Sequence, residues 1–194
     1  MPEIPYPLVT ERLVLRRFTA DDLDAYYAYQ KLPDTARFLL NEARSYTECM
    51  ARIARFVDAP FAGPGDWATF AVEWRHAPGF IGEIALKWGV GGREAADGQP
   101  VERVGEIGWT VAPGVRGRGV ATEAARAVLD LAFGGLGFRR IEARLDARND
   151  ASAAICQRLG MKLEAVMTDN MYLKGEWTSE AVYAIIREAA RAEV

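Results

Sequence analysis

One histidine and two cysteines among 194 residues remove several kinds of chemistry at once. Cys49 and Cys156 cannot form a disulfide framework, so the chain reads as one made for a reducing compartment, with the cytoplasm as the expected location. His76 falls in a turn beside Pro78 and Gly79 and carries no catalytic weight, and no metal site is expected. No stretch approaches the ~18 apolar residues that a membrane span requires. The N-terminus lacks a basic run followed by an apolar one, so no secretory signal is expected. An excess of positive charge is missing too. The formal net charge of −3 argues against nucleic acid as the main partner, since that role usually needs a basic face.

What the chain does have is core material and helix and strand punctuation. Half of it is hydrophobic, and one ordinary domain over residues 1–194 would bury roughly two thirds or more of its unfolded surface. Leu13 to Phe18 reads as a strand, and Thr19-Ala-Asp-Asp22 supplies capping chemistry for a helix through about Gln30. Residues 45–57 carry Cys49, Met50, Ile53 and Phe56 at helical spacing. Residues 68–74 and 79–88 read as an antiparallel pair joined at 76–79. A polar, Gly-rich loop follows, from Gly89 to Arg103. Then come a strand over 104–111, a helix from about 119 to 133, a strand over 140–146 and a helix over 152–159 that Gly160 stops. Two strands near 162–167 and 181–186 complete the set. The class is α/β, with a mixed sheet of six to seven strands flanked by helices.

The most informative stretch is Arg116-Gly117-Arg118-Gly119-Val120-Ala121, between the strand 104–111 and an alanine-rich helix. Strand, glycine loop and helix together aim free backbone N–H groups at one anion, and the helix start is electropositive. Two arginines add charge, and a pyrophosphate is the natural occupant. A P-loop would need Gly-Lys followed by Ser or Thr, and this loop has no lysine. A dinucleotide fingerprint would need a third small residue where Thr122 stands, with the strand ending almost on the first glycine. Val111 lies six positions before Gly117, which gives the wrong turn.

With Arg116, Gly119 and Ala121 in their places, the loop resembles the acyl-CoA loop of the GNAT acetyltransferases. The likeness covers nearly the whole chain. Thr10-Glu-Arg-Leu-Val-Leu-Arg-Arg17 with Ala20-Asp-Asp22 is similar to the opening of the RimJ/RimL-type branch. Phe80-Ile-Gly-Glu-Ile84 and Gly105-Glu-Ile-Gly-Trp109 resemble its two central strands, and Thr122-Glu123-Ala124 continues its cofactor helix. Asn149-Asp-Ala-Ser152 with Leu159-Gly160-Met161 resembles its second cofactor motif.

The resemblance implies a GNAT fold whose strands 104–111 and 140–146 splay apart to form a CoA cleft. It implies acetyl-CoA as co-substrate, held by the backbone of Trp109, Thr110 and Val111 along the pantetheine arm and by Arg116, Gly117, Arg118, Gly119, Val120, Ala121 and Thr122 at the pyrophosphate. Pantetheine can pair with the strand edge like an added strand, and Gly108 is the expected bulge. Asn149 matches the residue that bonds pantetheine, although Asn149, Asp150 or Ser152 also reads as a helix cap. Arg148 or Arg158 is a candidate for the 3′-phosphate. Many members place a tyrosine acid where Cys156 stands. Ser152, Cys156 or water must then serve in its place, although a cysteine in an Ala-Ile-Cys-Gln helix is more often a small core residue.

The implied activity is transfer of acetyl to an amine, with a non-catalytic acyl-CoA-binding domain as the alternative. A base must be found, because a lysine at ~10.4 is almost fully protonated at pH 7 whereas an α-amine at ~7.7–8 is partly neutral. Glu106 is the first candidate and Glu83, on the neighbouring strand, the second. Tyr26, Tyr27, Tyr29, Phe38 and Trp67, with Asp34, Glu42 and Glu48, fall in the third of the chain that borders the acceptor cleft. That composition suits a cationic amine. The expected partner is therefore a small amine or a peptide or protein N-terminus, and a homodimer is compatible with the family.

Overall fold

In the computed structural model, which describes residues 3–89 and 103–187, one mixed sheet runs through the molecule with helices on both faces. Its strands are β1 (Leu8–Val9), β2 (Leu13–Arg16), β3 (Trp67–Trp74), β4 (Ala77–Trp88), β5 (Arg103–Val111), β6 (Phe138–Asp146), β7 (Lys162–Leu173) and β8 (Glu176–Ile186), in the order β1-β2-β3-β4-β5-β6-β8-β7. Eight strands replace the six or seven expected. The extra one is β1, a two-residue partner of β2 concealed by Pro5 and Pro7, which read as strand breakers. The Gly-rich loop expected after Gly89 falls on residues 90–102, outside the described residues.

Alternation along the strands decides which face each helix covers. Leu13, Leu15, Phe70, Val72, Ile84, Leu86, Ile107 and Ile141 lie on one face and are fully or nearly fully buried. Against them pack α4 (Val120–Asp130) and α5 (Asp150–Arg158). The alanines of α4 are what let it approach so closely. Ala124, Ala125 and Val128 have no exposed surface, so a larger residue there would overpack the core, at about 1–3 kcal/mol. Beneath α1 (Leu23–Gln30) and α3 (Tyr46–Val57) lies the opposite face, where Phe18, Tyr26, Tyr29, Cys49, Ile53 and Ala71 form a second core with Phe56 and Phe80 around it. Between those two helices sits α2, the short Pro33–Ala36 turn.

Capping chemistry sets several boundaries. Ser45 caps α3 and Glu48 bonds back to it, a reciprocal box. Asn149 Oδ1 accepts from the Ser152 N–H, which starts α5 two residues before the expected position. Beyond α4 the chain continues as a π-helical turn, Leu131–Gly135. Three strand limits differ from expectation. The β3–β4 turn lies at Arg75-His76, because Trp74 pairs with Ala77. The last two strands are longer, meeting at Lys174-Gly175, whose φ values of 52° and 85° make a tight hairpin turn that Lys-Gly announces less clearly than Asn-Gly.

Candidate active site

The sheet is not continuous at its centre. β5 and β6 are parallel and pair from Arg103↔Phe138 to Glu106↔Glu142, where the ladder stops. On its other edge β5 stays paired with β4 up to Val111. From Ile107 onward, therefore, the β6-facing edge of β5 has no ladder partner, and a strand's hydrogen-bonding groups are left available. Gly108 is not the expected bulge, since it pairs regularly with Ala85. Its role is spatial. A methyl group placed there would meet nothing within 4 Å, so the missing side chain leaves open space beside the strand.

That space is part of a cavity of about 720 Å³, within the usual range for a small-molecule site. Its walls include Ile107, Gly108, Trp109 and Thr110 from β5, Ala143 to Leu145 from β6, and Asn149 and Ser152 from the start of α5. The Trp109 indole N–H donates to Ser152 Oγ at 3.2 Å, spanning the gap between the parted strands. Because that oxygen is acting as acceptor, the Ser152 hydroxyl proton stays available to another group. Cys156, one turn further along α5, is fully buried, and burial pushes its thiol up to about 12. It is a core residue and does not line the cavity.

β5 leads into the glycine loop through a single 3-10 turn, Pro113–Val115. Gly119, the residue preceding α4, has φ 79°, the left-handed conformation that glycine adopts without strain. The first backbone N–H held by the helix is that of Glu123, which bonds Gly119 O. The N–H groups of Val120, Ala121 and Thr122 thus precede the helical ladder, at the electropositive end. The loop is tied down from the far side of the fold. Glu123 accepts from Thr10 Oγ1 at 2.6 Å, from the Arg12 N–H at 3.0 Å and from Arg12 Nε at 2.6 Å, and Arg12 also donates to Arg118 O. Arg116 pairs with Asp34 and donates to Thr35 at the start of α2, while the Arg118 guanidinium lies 5.1 Å over the Trp74 ring. Residues 116–122 do not line the cavity but form the end of the strand-to-helix turn beside it. Of the two arginines considered for a 3′-phosphate, Arg148 is ion-paired with Asp146 and Glu176.

The two candidate bases lie in different surroundings. Glu106 pairs opposite Lys87, whose Nζ is 4.0 Å away, and sits at the apex where β5 and β6 part. Burial raises its pKa, but it is not in the cavity wall. Glu83 is. It is 7% exposed, lies opposite Thr110, and accepts from Gln30 Nε2 at 3.3 Å, while its second oxygen has no partner. Burial raises the Glu83 carboxyl to about 7 against the opposing pull of Arg52 and Arg44. From sequence it ranked second because nothing in β4 announces that α1 and α3 cover it.

The far wall of the cavity differs from expectation. Of the aromatic group, Phe38 and Trp67 line it, whereas Tyr26 and Tyr29 are buried in the second core. None of the three expected carboxylates lines it: Asp34 is held by Arg116 and Glu48 by the α3 cap. Arg44, Arg52 and Arg55 stand there instead.

Residues 12–162 match the family model described as an acetyltransferase (GNAT) domain. The chain belongs to the GNAT acetyltransferases. It is 27% identical over 182 residues, covering 93% of this chain and 97% of its relative, to the uncharacterized N-acetyltransferase YnaD of Bacillus subtilis. The crystal structure of a GNAT-family acetyltransferase from Bacillus anthracis superposes with a TM-score of 0.78 at 23% identity, covering 93% and 98% of the two chains. A structure of RimL, the ribosomal L7/L12 α-N-protein acetyltransferase, in complex with coenzyme A gives 0.68 at 17% identity, covering 93% and 97%. The fold is the GNAT fold, the enzyme is an N-acetyltransferase, and acetyl-CoA is its co-substrate. The loop fits that group: free amides, a left-handed glycine and a helix N-terminus converge beside an open strand edge. Among the described residues no cluster of side chains could hold a metal ion, and no helix is long and apolar enough to cross a membrane.

Proposed function

We propose that this GNAT acetyltransferase acylates an α-amine, of a small molecule or of a peptide or protein N-terminus, with Glu83 as the proton acceptor. The observation that carries the reading is a buried carboxylate with one unpartnered oxygen in the wall of the cavity that opens where β5 and β6 part. Acetyl-CoA supplies the activated thioester, so no acyl-enzyme is required. The open edge of β5 at Trp109, Thr110 and Val111 is suited to pantetheine, and the amides of Gly117 to Thr122 to the pyrophosphate. A pKa near 7 suits Glu83 to receive the proton of an attacking nitrogen and to shed it again at neutral pH. Ser152, in the cavity wall with its hydroxyl proton uncommitted, would donate to the leaving sulfur. An α-amine is the acceptor that a modest carboxylate base serves best, being already partly neutral, and the RimL likeness agrees with that choice.

The test compares Glu83→Gln with Glu106→Gln in steady-state release of CoA thiol. Glu83→Gln should lower kcat by ~10²-fold or more and flatten the rise of kcat through pH 7, with KM for acetyl-CoA unchanged. A full loss in Glu106→Gln beside an unaffected Glu83→Gln would move the base to the apex of the splay.

A further inference from the structure

Three arginines stand together in the far wall of the cavity. Arg52 and Arg55 stand one turn apart on α3 and so share a side of that helix. Arg44 precedes the same helix. Among the described residues none of the three is ion-paired. Arg44 donates to Asn41 Oδ1 at 2.5 Å, yet its Nε is buried with no hydrogen-bond partner. Arg52 donates through Nε to the Tyr26 hydroxyl at 2.9 Å and lies 4.9 Å over the Phe56 ring. Both are half-buried, and the charge of Arg52 helps to depress the pKa of Arg44 after burial itself. Other arginines of this chain are held by carboxylates, Arg12 by Glu123, Arg16 by Asp22 and Glu73, Arg140 by Glu142 and Glu164, and others lie over aromatic rings, as Arg17 and Arg118 do; what sets these three apart is that they share one cavity wall.

The remaining charges on the cavity wall do not balance the three. Asp66 is occupied, its Oδ2 accepting from the Ala62 and Gly63 amides at 2.8 and 3.0 Å. Glu142 and Glu180 hold Arg144. Glu83 makes no ion pair; its ionised form acts at longer range on Arg52 and Arg44, but one carboxylate, largely protonated below pH 7, does not balance three guanidinium groups. Holding Arg44 and Arg52 together half-buried, with the exposed Arg55 beside them, is costly unless an opposite charge arrives.

Building on the proposed reaction, we infer that the acceptor is a small amine that also carries an anionic group, a carboxylate or a phosphate, which Arg44, Arg52 and Arg55 bind while the amine faces Glu83. Guanidinium forks match the planar or tetrahedral oxygens of such anions and bind them in pairs of charge-assisted hydrogen bonds. The unpartnered Arg44 Nε and Glu83 Oε2 are the two groups that such a molecule would satisfy, one at each end. Phe38 and Trp67 supply an apolar wall for its body.

The test reads matched acceptors through thiol release: phenylalanine against phenylalaninamide, and phosphoethanolamine against ethanolamine, with spermidine as a wholly cationic control. The anionic member of at least one pair should be favoured by about tenfold or more in kcat/KM, and the pair that shows it assigns carboxylate or phosphate. Arg55→Gln and Arg52→Lys should each raise KM for the anionic member and narrow the ratio within the pair, leaving KM for acetyl-CoA unchanged. Arg52→Lys keeps the charge and so guards against a variant that fails to fold. A second arm needs no turnover. Calorimetric binding of the N-acetyl products of the four amines to the CoA-bound protein should show the same anion preference, abolished by Arg55→Gln. Thiol release with none of the amines, accompanied by anion-selective binding, would count against the acetyl-transfer reading while upholding the arginine site. Equal or faster turnover of the neutral members or of spermidine, or the absence of anion selectivity in both arms, would overturn it.

Discussion

Burial raises the pKa of Glu83 from 4.5 to about 7, and the same shift couples folding to pH. Between those two values the native protein holds a proton that the unfolded chain has released. This acid's contribution to stability is therefore greatest below about 4.5, falls as pH rises towards 7, and is flat beyond. At 1.36 kcal/mol per unit the loss is on the order of 3 kcal/mol. Urea unfolding of the wild-type protein and Glu83→Gln at pH 5, 6, 7 and 8 should show the wild type losing roughly that amount relative to the variant. Parallel curves would mean that the carboxyl is hydrated in the folded state. The residues around it explain why its importance was only half visible in the sequence. Strand alternation places Glu83 on the face away from α4, but the cover of Tyr26 and Tyr29 comes from α1, more than fifty residues earlier in the chain. The expected carboxylates misled for a related reason. Asp34 and Glu48 each have a partner, a remote arginine and a local cap, and only the first of those partners needed the fold to be known.

Helices and strands were legible where their ends carry side-chain chemistry. Apolar spacing at Cys49, Met50, Ile53 and Phe56 placed α3, whose start the Ser45–Glu48 box fixes in the fold, and the alanine run marks the buried stripe of α4. The short β1 and the length of the β7–β8 hairpin were not, because prolines and a Lys-Gly turn give weak local signals. The glycine loop itself was read correctly as a strand-to-helix turn, yet what anchors it was not. Thr10-Glu11-Arg12 and Glu123 were recognised as separate motifs, and the fold shows them to be one device. Glu123 takes three hydrogen bonds from the β1–β2 turn, so the start of α4 is fixed against the edge of the sheet. Glu123→Ala removes the acceptor of these three hydrogen bonds, leaving Thr10 with Leu13 O and Arg12 with Arg118 O, which should cost about 1–3 kcal/mol. Guanidinium unfolding measures it directly. The same variant should bind acetyl-CoA more weakly, since the loop amides lose their fixed position. An unchanged midpoint would show the three bonds to be replaceable by water.

Across the whole molecule, the divided sheet has a consequence for how the protein comes apart. Backbone ladders join each strand to the next from β1 to β5, and likewise β6, β8 and β7, with register shifts in the β3–β4 and β7–β8 ladders. Within the sheet the two blocks meet through one short parallel ladder, which ends at Glu106↔Glu142. A structure held at one end of a seam opens in parts rather than all at once, and hydrogen exchange resolves such parts as separate protection levels. In the ligand-free enzyme the amides of Ile107 to Val111 on the open edge should exchange early, and the β6–β8–β7 block should open at a lower free energy than β2–β5. Saturating acetyl-CoA should slow both and bring the two blocks to one common level, as ligand linkage requires of a molecule bound across the seam. Exchange that is uniform with and without the ligand would contradict this. Acetyl-CoA is thus expected to serve this fold as its missing structural member, closing the seam that substrate entry requires to stay open.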